Sequence, residues 1–369
     1  MKRILLLPAL CALLAVPAAA LDTSLQKETH HSLEQGLKFL VKGQDPKGFW
    51  TTPQYPGLTA LVVIALNRLP PALKATVPAK VEQGAEAYLL ASVKPDGGIY
   101  NADMTNYNTA LSLMAFISTG NSKYLPVIRK ARDFLALQQQ DKGKAGSADS
   151  VLDGGIGYGD DGPYPDLNNT YFALEALRMS KAVETESGAG KINYDLALRF
   201  IQRCQNLAPS NDIGPVASDA DNKGGFIYSP TESKAGDTTL AGRKIHRSYG
   251  AATCMGLLSY VYSDVPPGDP RMQAAETWLK DHYTTQEHPA MGQNSYYFYM
   301  LAMTKAFKVL AVDKVETPKG ARDWKKETAE KLVSLQKANG SWSNDVGRWW
   351  ENDPNLASAY AMQSLEFAL

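Results

Sequence analysis

The sequence predicts an all-α protein of six helical-hairpin repeats. Three observations predict it. An amphipathic segment is repeatedly followed by an apolar one; a Gly-rich turn carrying an aromatic separates the two; and corresponding glycines at 48, 97, 154, 224, 292 and 340 recur about every 50 to 70 residues. In the first copy Leu33, Leu37, Leu40 and Val41 mark one helical face, Gln44 to Trp50 form the turn, and Leu58 to Leu66 read as a helix apolar nearly all round. Such a helix is buried on every side, whereas a single apolar stripe belongs to an outer layer.

The second copy runs through Tyr88-Leu89-Leu90, the turn Asp96-Gly97-Gly98-Ile99-Tyr100 and a helix from Asn108 to Ile117. The third uses Phe134-Leu135, the turn Asp153 to Tyr158 and a helix from Asn169 to Leu177; the fourth uses Leu198 to Cys204, Gly224 to Tyr228 and Tyr249 to Leu258. The fifth is degenerate, with Trp278-Leu279, a turn near Pro289 to Gly292 and Tyr296 to Met303. The sixth gives Leu332 to Gln336, Gly340-Ser341-Trp342 and Ala357 to Leu365. Hairpins that each present one wholly apolar helix cannot bury it alone, so neighbouring copies must stack, either as an open superhelix or as a closed ring.

Residues 1–20 read as a signal peptide. Lys2 and Arg3 form the n-region, Ile4 to Val16 the apolar stretch, and Ala18-Ala19-Ala20 the cleavage site. The expected mature protein is a single domain, residues 21–369, exported to a periplasm or secreted and not integral to a membrane. Loss of Lys2 and Arg3 takes 38 basic residues to 36, against 38 acidic, a formal charge of −2. That balance gives no footprint for nucleic acid. The two remaining cysteines, Cys204 and Cys254, read as buried thiols, with a disulfide in an oxidising compartment as the alternative.

Two turns, Gln44 to Trp50 and Gln336 to Trp342, both spell Q-x-x-x-G-x-W. This pattern resembles the repeat of squalene and oxidosqualene cyclases, and with the Gly-Gly-aromatic turns between, the mature chain resembles the terpenoid cyclase and protein prenyltransferase superfamily throughout. The resemblance implies a closed α/α toroid, with an inner and an outer helical barrel and a cavity where the inner-helix N-termini gather.

The functional groups of that superfamily are only partly present. Its cyclases protonate an alkene from an acidic P-D-x-D-D-T box, and this chain has Pro165-Asp166-Leu167-Asn168-Asn169-Thr170. The proton-donor position falls on Asn168, and an amide is no general acid. Asp166 remains as a candidate acid, or as a helix cap together with the asparagines. The prenyltransferase zinc site would need an Asp close to a Cys, plus a His. Cys204 and Cys254 lack that Asp, and the histidines cluster only at His30-His31, so no metal site and no cofactor is implied. The Gly-Cys-Gly-Glu-Gln box of thioester relatives does not occur either.

Candidate ligand-binding residues are the polar and aromatic groups at or before the inner-helix starts: Tyr107, Asp160, Asp161, Asn168, Tyr171, Tyr249, Tyr296, Trp349 and Glu351. The long connection 207–247 offers a second constellation, with His246 as base, Asp219 or Asp221 as acid and Arg247 as anion binder. Asp353 is placed to cap the last inner helix, and Trp349 or Trp350 to close the ring against the first repeat. The partner implied is a small molecule, an isoprenoid or a glycan. Three readings follow: a toroid that binds a ligand centrally, a carbohydrate-active lyase or hydrolase, and a non-catalytic scaffold for another protein.

Overall fold

A computed structural model describes residues 21–159, 164–184 and 191–369. Six outer helices, α1 (Thr23–Gly43), α4 (Ala79–Ala91), α6 (Leu125–Ala136), α8 (Tyr194–Arg203), α10 (Pro270–Asp281) and α12 (Trp324–Leu335), surround six inner ones. The inner set is α2 (Pro56–Arg68), α5 (Thr105–Ser118), α7 (Leu167–Met179), α9 (Gly250–Tyr262), α11 (Tyr296–Val309) and α13 (Pro354–Ala368). A one-turn helix, α3 (Pro71–Lys74), follows α2. Two small hairpins, β1 (Asp237–Leu240) with β2 (Arg243–His246) and β3 (Val315–Thr317) with β4 (Gly320–Arg322), lie in connections.

Each inner helix packs on the next, and α13 returns to α2 while α12 returns to α1. The ring is therefore closed, and the open superhelix that spacing alone allowed is not formed. Closure follows from burial: nearly every residue of α5, α9 and α13 is buried, so none of them has a face to leave in water. No helix of the described residues is long and apolar enough to cross a membrane.

The turns join one repeat to the next by a shared set of contacts. Gln44 Nε2 donates to the Gly48 carbonyl in its own turn and to the Val81 carbonyl of α4; Gln336 does the same for Gly340 and for Ser32 of α1. Glutamine thus clamps two successive outer helices. Gln139 and Gln205 make equivalent clamps to Asn193 and Arg271, although insertions separate them from their turn glycines by 15 and 19 residues. The residue after the glycines is then anchored inward: Trp50, Ile99, Ile156, Phe226 and Trp342 each donate a backbone N–H to a Thr or Ser hydroxyl on the following inner helix. The Trp50 and Trp342 indoles donate back to Leu40 and Leu332 on their own outer helices.

The turn glycine meets the backbone of the next outer helix. At Gly154, φ is +92°, and an added Cβ would lie 1.9 Å from the Leu196 carbonyl oxygen. At Gly120, φ is +63° with nothing within 4 Å. Gly120→Ala is therefore expected to cost about 1 kcal/mol, the left-handed penalty alone. Gly154→Ala should cost about 3 kcal/mol or more through overpacking. Urea denaturation of the two variants measures the difference, and equal losses would mean that the turn does not depend on this approach.

Candidate functional site

The inner-helix N-termini converge at one end of the barrel, and each is completed by the repeat that follows it. The Gly57 N–H of α2 donates to Asn108 Oδ1, the Asn106 N–H of α5 to the Tyr158 carbonyl, and the Leu167 N–H of α7 to the Tyr228 carbonyl. In α9, Gly250 and Ala251 donate to the Pro289 carbonyl and His288 Nε2. In α11, Tyr297 and Phe298 donate to the Glu351 carboxylate. In α13, Asn355 and Leu356 donate to Asp353, which also accepts from Thr51 of the first repeat. Asn108 thus caps its neighbour α2 rather than its own helix. Asp353 caps α13 as its position suggested.

Inside this ring of caps lies a cavity of about 200 Å³. Its wall takes Tyr55 and Leu58 from around the start of α2, Met104 and Tyr107 from α5, and Asn168 and Phe172 from α7. Tyr249, Ala251 and Met255 line it from α9, Phe298 from α11, and Leu356 and Tyr360 from α13. Tyr158, Tyr228, His288 and Met291 reach it from turns; Lys234, Trp349 and Trp350 reach it from loops. Trp350 meets the Tyr55 ring edge-on at 5.4 Å, which joins the last repeat to the first.

Asp166 is the N-cap of α7 and is 1 % exposed. Its two oxygens accept from the backbone and side-chain nitrogens of Asn169, at 2.9 and 2.7 Å, and the Tyr228 hydroxyl also bonds to it. Burial pushes its carboxyl up to about 6, with those bonds opposing the rise. It faces an adjoining recess that shares Tyr158, Tyr228, Lys234 and Trp349 with the main cavity, so it stands behind the wall. Asn168, at the position where the resemblance would put the proton donor, lies in the main wall.

Tyr107, Tyr249 and Trp349 line the cavity as the sequence suggested. Tyr171 does not. It lies deeper, where Lys305 Nζ of α11 meets both oxygens of Glu175, at 2.8 and 2.9 Å, and the Tyr171 hydroxyl at 3.0 Å. That buried pair spans α7 and α11 one to two turns beyond the cavity. Tyr296 donates its hydroxyl to the Thr285 carbonyl instead, and Glu351, also buried, is occupied by α11 and by Asn344. Asp160 and Asp161 fall outside the described residues.

The constellation expected in the long connection is not assembled. His246 is the last residue of β2, and its Nδ1 pairs with Asp237 Oδ1 at 2.5 Å, not with Asp219 or Asp221. Asp219 instead accepts from the backbone of Asp221 and from Asn222, while the Asp221 carbonyl takes the Trp278 indole N–H. The Arg247 side chain is exposed and Ser233 bonds its carbonyl. Cys204 and Cys254 are both free and buried, and burial raises both thiols.

Sequence reasoning missed Tyr158, Tyr228, Phe172, Phe298, Met255, Tyr360, His288 and Lys234. A signal existed for the first two, each four residues after its turn glycine, at Gly154 and Gly224. His288 looks like a base but is a cap: Nε2 accepts from Ala251 while Nδ1 meets the Asn294 carbonyl at 2.8 Å. Burial lowers it to about 4.

No family model matches the sequence, and no curated protein matches it. Solved structures do. A type II terpene cyclase from Scytonema, in its apo form, aligns over 94 % of this chain and 99 % of its own, with a TM-score of 0.56 and 14 % identity. The same cyclase in complex with geranylgeranyl dihydroxybenzoate gives a TM-score of 0.54 at 15 % identity, over 94 % and 99 % of the two chains. A GH76 α-mannanase from Bacteroides thetaiotaomicron aligns over 92 % and 96 % with a TM-score of 0.56 at 11 % identity. The chain has the α/α toroid fold that these cyclases and mannanases share.

The two buried titratable groups of the site act oppositely on stability. Asp166 holds its proton more tightly when folded, so its contribution is full below about 4 and is lost as pH rises towards 6. His288 stays neutral when folded, so its contribution is full above 6.5 and is lost as pH falls towards 4. Each effect has a ceiling of about 3 kcal/mol. Asp166→Asn should therefore turn the slope of stability between pH 4 and 6.5 upward relative to the parent protein, and His288→Gln should turn it downward. Chemical denaturation across that range checks both signs.

Proposed function

We propose that this is an exported binding protein whose toroid cavity takes up an apolar, isoprenoid-class molecule. The composition of the wall carries the reading. Six tyrosines, two phenylalanines, two tryptophans and three methionines among its lining residues give a surface suited to hydrocarbon and to π-bonds. The Tyr228, Tyr249 and Tyr360 hydroxyls are pushed up by burial, so that edge of the wall is neutral as well. The geranylgeranyl ligand of the Scytonema cyclase supports the same class of occupant. Export rests on the charged, apolar and small-residue regions of residues 1–20.

The glycan reading also has a toroid neighbour in the α-mannanases. Glycoside hydrolysis, however, needs two carboxyls facing the scissile bond about 5 to 10 Å apart. Among the described residues no Asp or Glu lines the cavity, and the buried carboxyls Asp166 and Glu351 are both engaged in capping helices. The scaffold reading fits a filled barrel, which this is not.

Titration of the mature protein, followed by the fluorescence of Trp349 and Trp350 at the mouth, tests the proposal. Squalene or a C20 polyprenol is expected to give a saturable change. Phe298→Ala should weaken binding about tenfold by removing buried aromatic surface. Saturable binding of a mannooligosaccharide with no response to either isoprenoid would reverse the assignment.

A further inference from the structure

The cavity has one polar corner, and its chemistry is specific. Tyr158, Tyr228, Tyr249 and Asn168 meet there, with Asp166 behind them. Tyr158 is bonded to Tyr228 and Asn168, and Tyr228 to Asp166. Two groups are left over. Asn168 Oδ1 is buried with no hydrogen-bond partner among the described residues. Tyr249 is 5 % exposed, and its hydroxyl makes no hydrogen bond with any described residue. One is an acceptor and the other a donor, and leaving the buried Asn168 oxygen unpaired costs on the order of 1–3 kcal/mol.

An anionic head is a poor match for this corner. Six helix N-termini would ordinarily favour an anion, but here N–H groups of the first turn are already bound, in α13 by its own Asp353 and in the other five by the following repeat. Asp166, Glu351 and Asp353 bring carboxyls to the same end of the barrel. The cation of the wall, Lys234, lies over the Tyr228 ring at 3.9 Å and bonds Glu232 at 2.5 Å, so its charge is already paired. A diphosphate would meet buried carboxyl and phenol groups with little to compensate.

From these observations we infer that the ligand is a neutral amphiphile, with its hydroxyl head in the Tyr249 and Asn168 corner and its hydrocarbon body against Phe172, Met255 and Phe298. A hydroxyl both donates and accepts, so it supplies what each leftover group lacks. This inference rests on the isoprenoid reading of the cavity and deepens it: the ligand class is a prenyl alcohol or a hydroxylated cyclic terpenoid, not a prenyl diphosphate.

Calorimetric titration of the mature protein with geranylgeraniol, geranylgeranyl diphosphate and squalene tests it. Geranylgeraniol is expected to bind at least about tenfold more tightly than either of the others, for the buried Asn168 oxygen it satisfies. Tyr249→Phe keeps the ring and removes the hydroxyl, and should bring geranylgeraniol down to the affinity of squalene. Two results would overturn the inference while leaving the isoprenoid reading intact. One is tightest binding of the diphosphate with loss in Lys234→Gln; the other is equal affinity for alcohol and squalene with Tyr249→Phe silent. No binding of any of the three would overturn the isoprenoid reading and this inference together.

Discussion

The structure depends on one constraint: an inner helix that is apolar on all sides has nowhere to end except against its neighbours. Burying the sides is achieved by packing six such helices in a ring. Burying the ends is harder, because the first turn of a helix carries backbone N–H groups without partners. Each repeat solves this for the one before it. Asn108, the Tyr158 and Tyr228 carbonyls, His288 and Glu351 all cross a repeat boundary in the same sense, and Thr51 joins the sixth cap to the first repeat. Opening the ring anywhere would expose apolar surface and also orphan the donors of one helix.

The cavity inherits its character from this arrangement. Polar side chains at that end of the barrel are largely committed to backbone groups, so aromatic rings and methionines are left to face the space. Asp166 illustrates the exchange: its carboxyl is consumed by Asn169 and Tyr228, and its raised proton affinity follows from burial. The Lys305–Glu175 pair sits deeper, towards the helix C-termini. Specificity then falls to the polar atoms that capping does not use.

The six hairpins and the division into apolar inner and amphipathic outer helices were legible because burial writes a period into the sequence. The Q-x-x-x-G-x-W turns were legible only where glutamine and tryptophan stay close. At Gln139 and Gln205 the same clamp exists, but inserted loops hide the spacing. The cavity was legible in part. Tyr107, Asn168, Tyr249 and Trp349 could be placed from their position before an inner helix. Phe172, Met255 and Phe298 could not, because a ring facing the cavity and one packed in the barrel look alike in sequence. Tyr171, Tyr296 and Glu351 show the reverse error: the right kind of residue near a helix start, used for packing or capping. His246 fails differently, since its partner Asp237 came from a hairpin that the pattern did not reveal.

The claim that the toroid is a container for an isoprenoid-class molecule is tested most directly by what it carries in its own cell. Native mass spectrometry of the mature protein recovered from its host, followed by extraction and identification of retained molecules, reads this without any choice of probe. A discrete mass adduct that extracts as a prenyl or cyclic terpenoid compound is the predicted result. A retained oligosaccharide would contradict it.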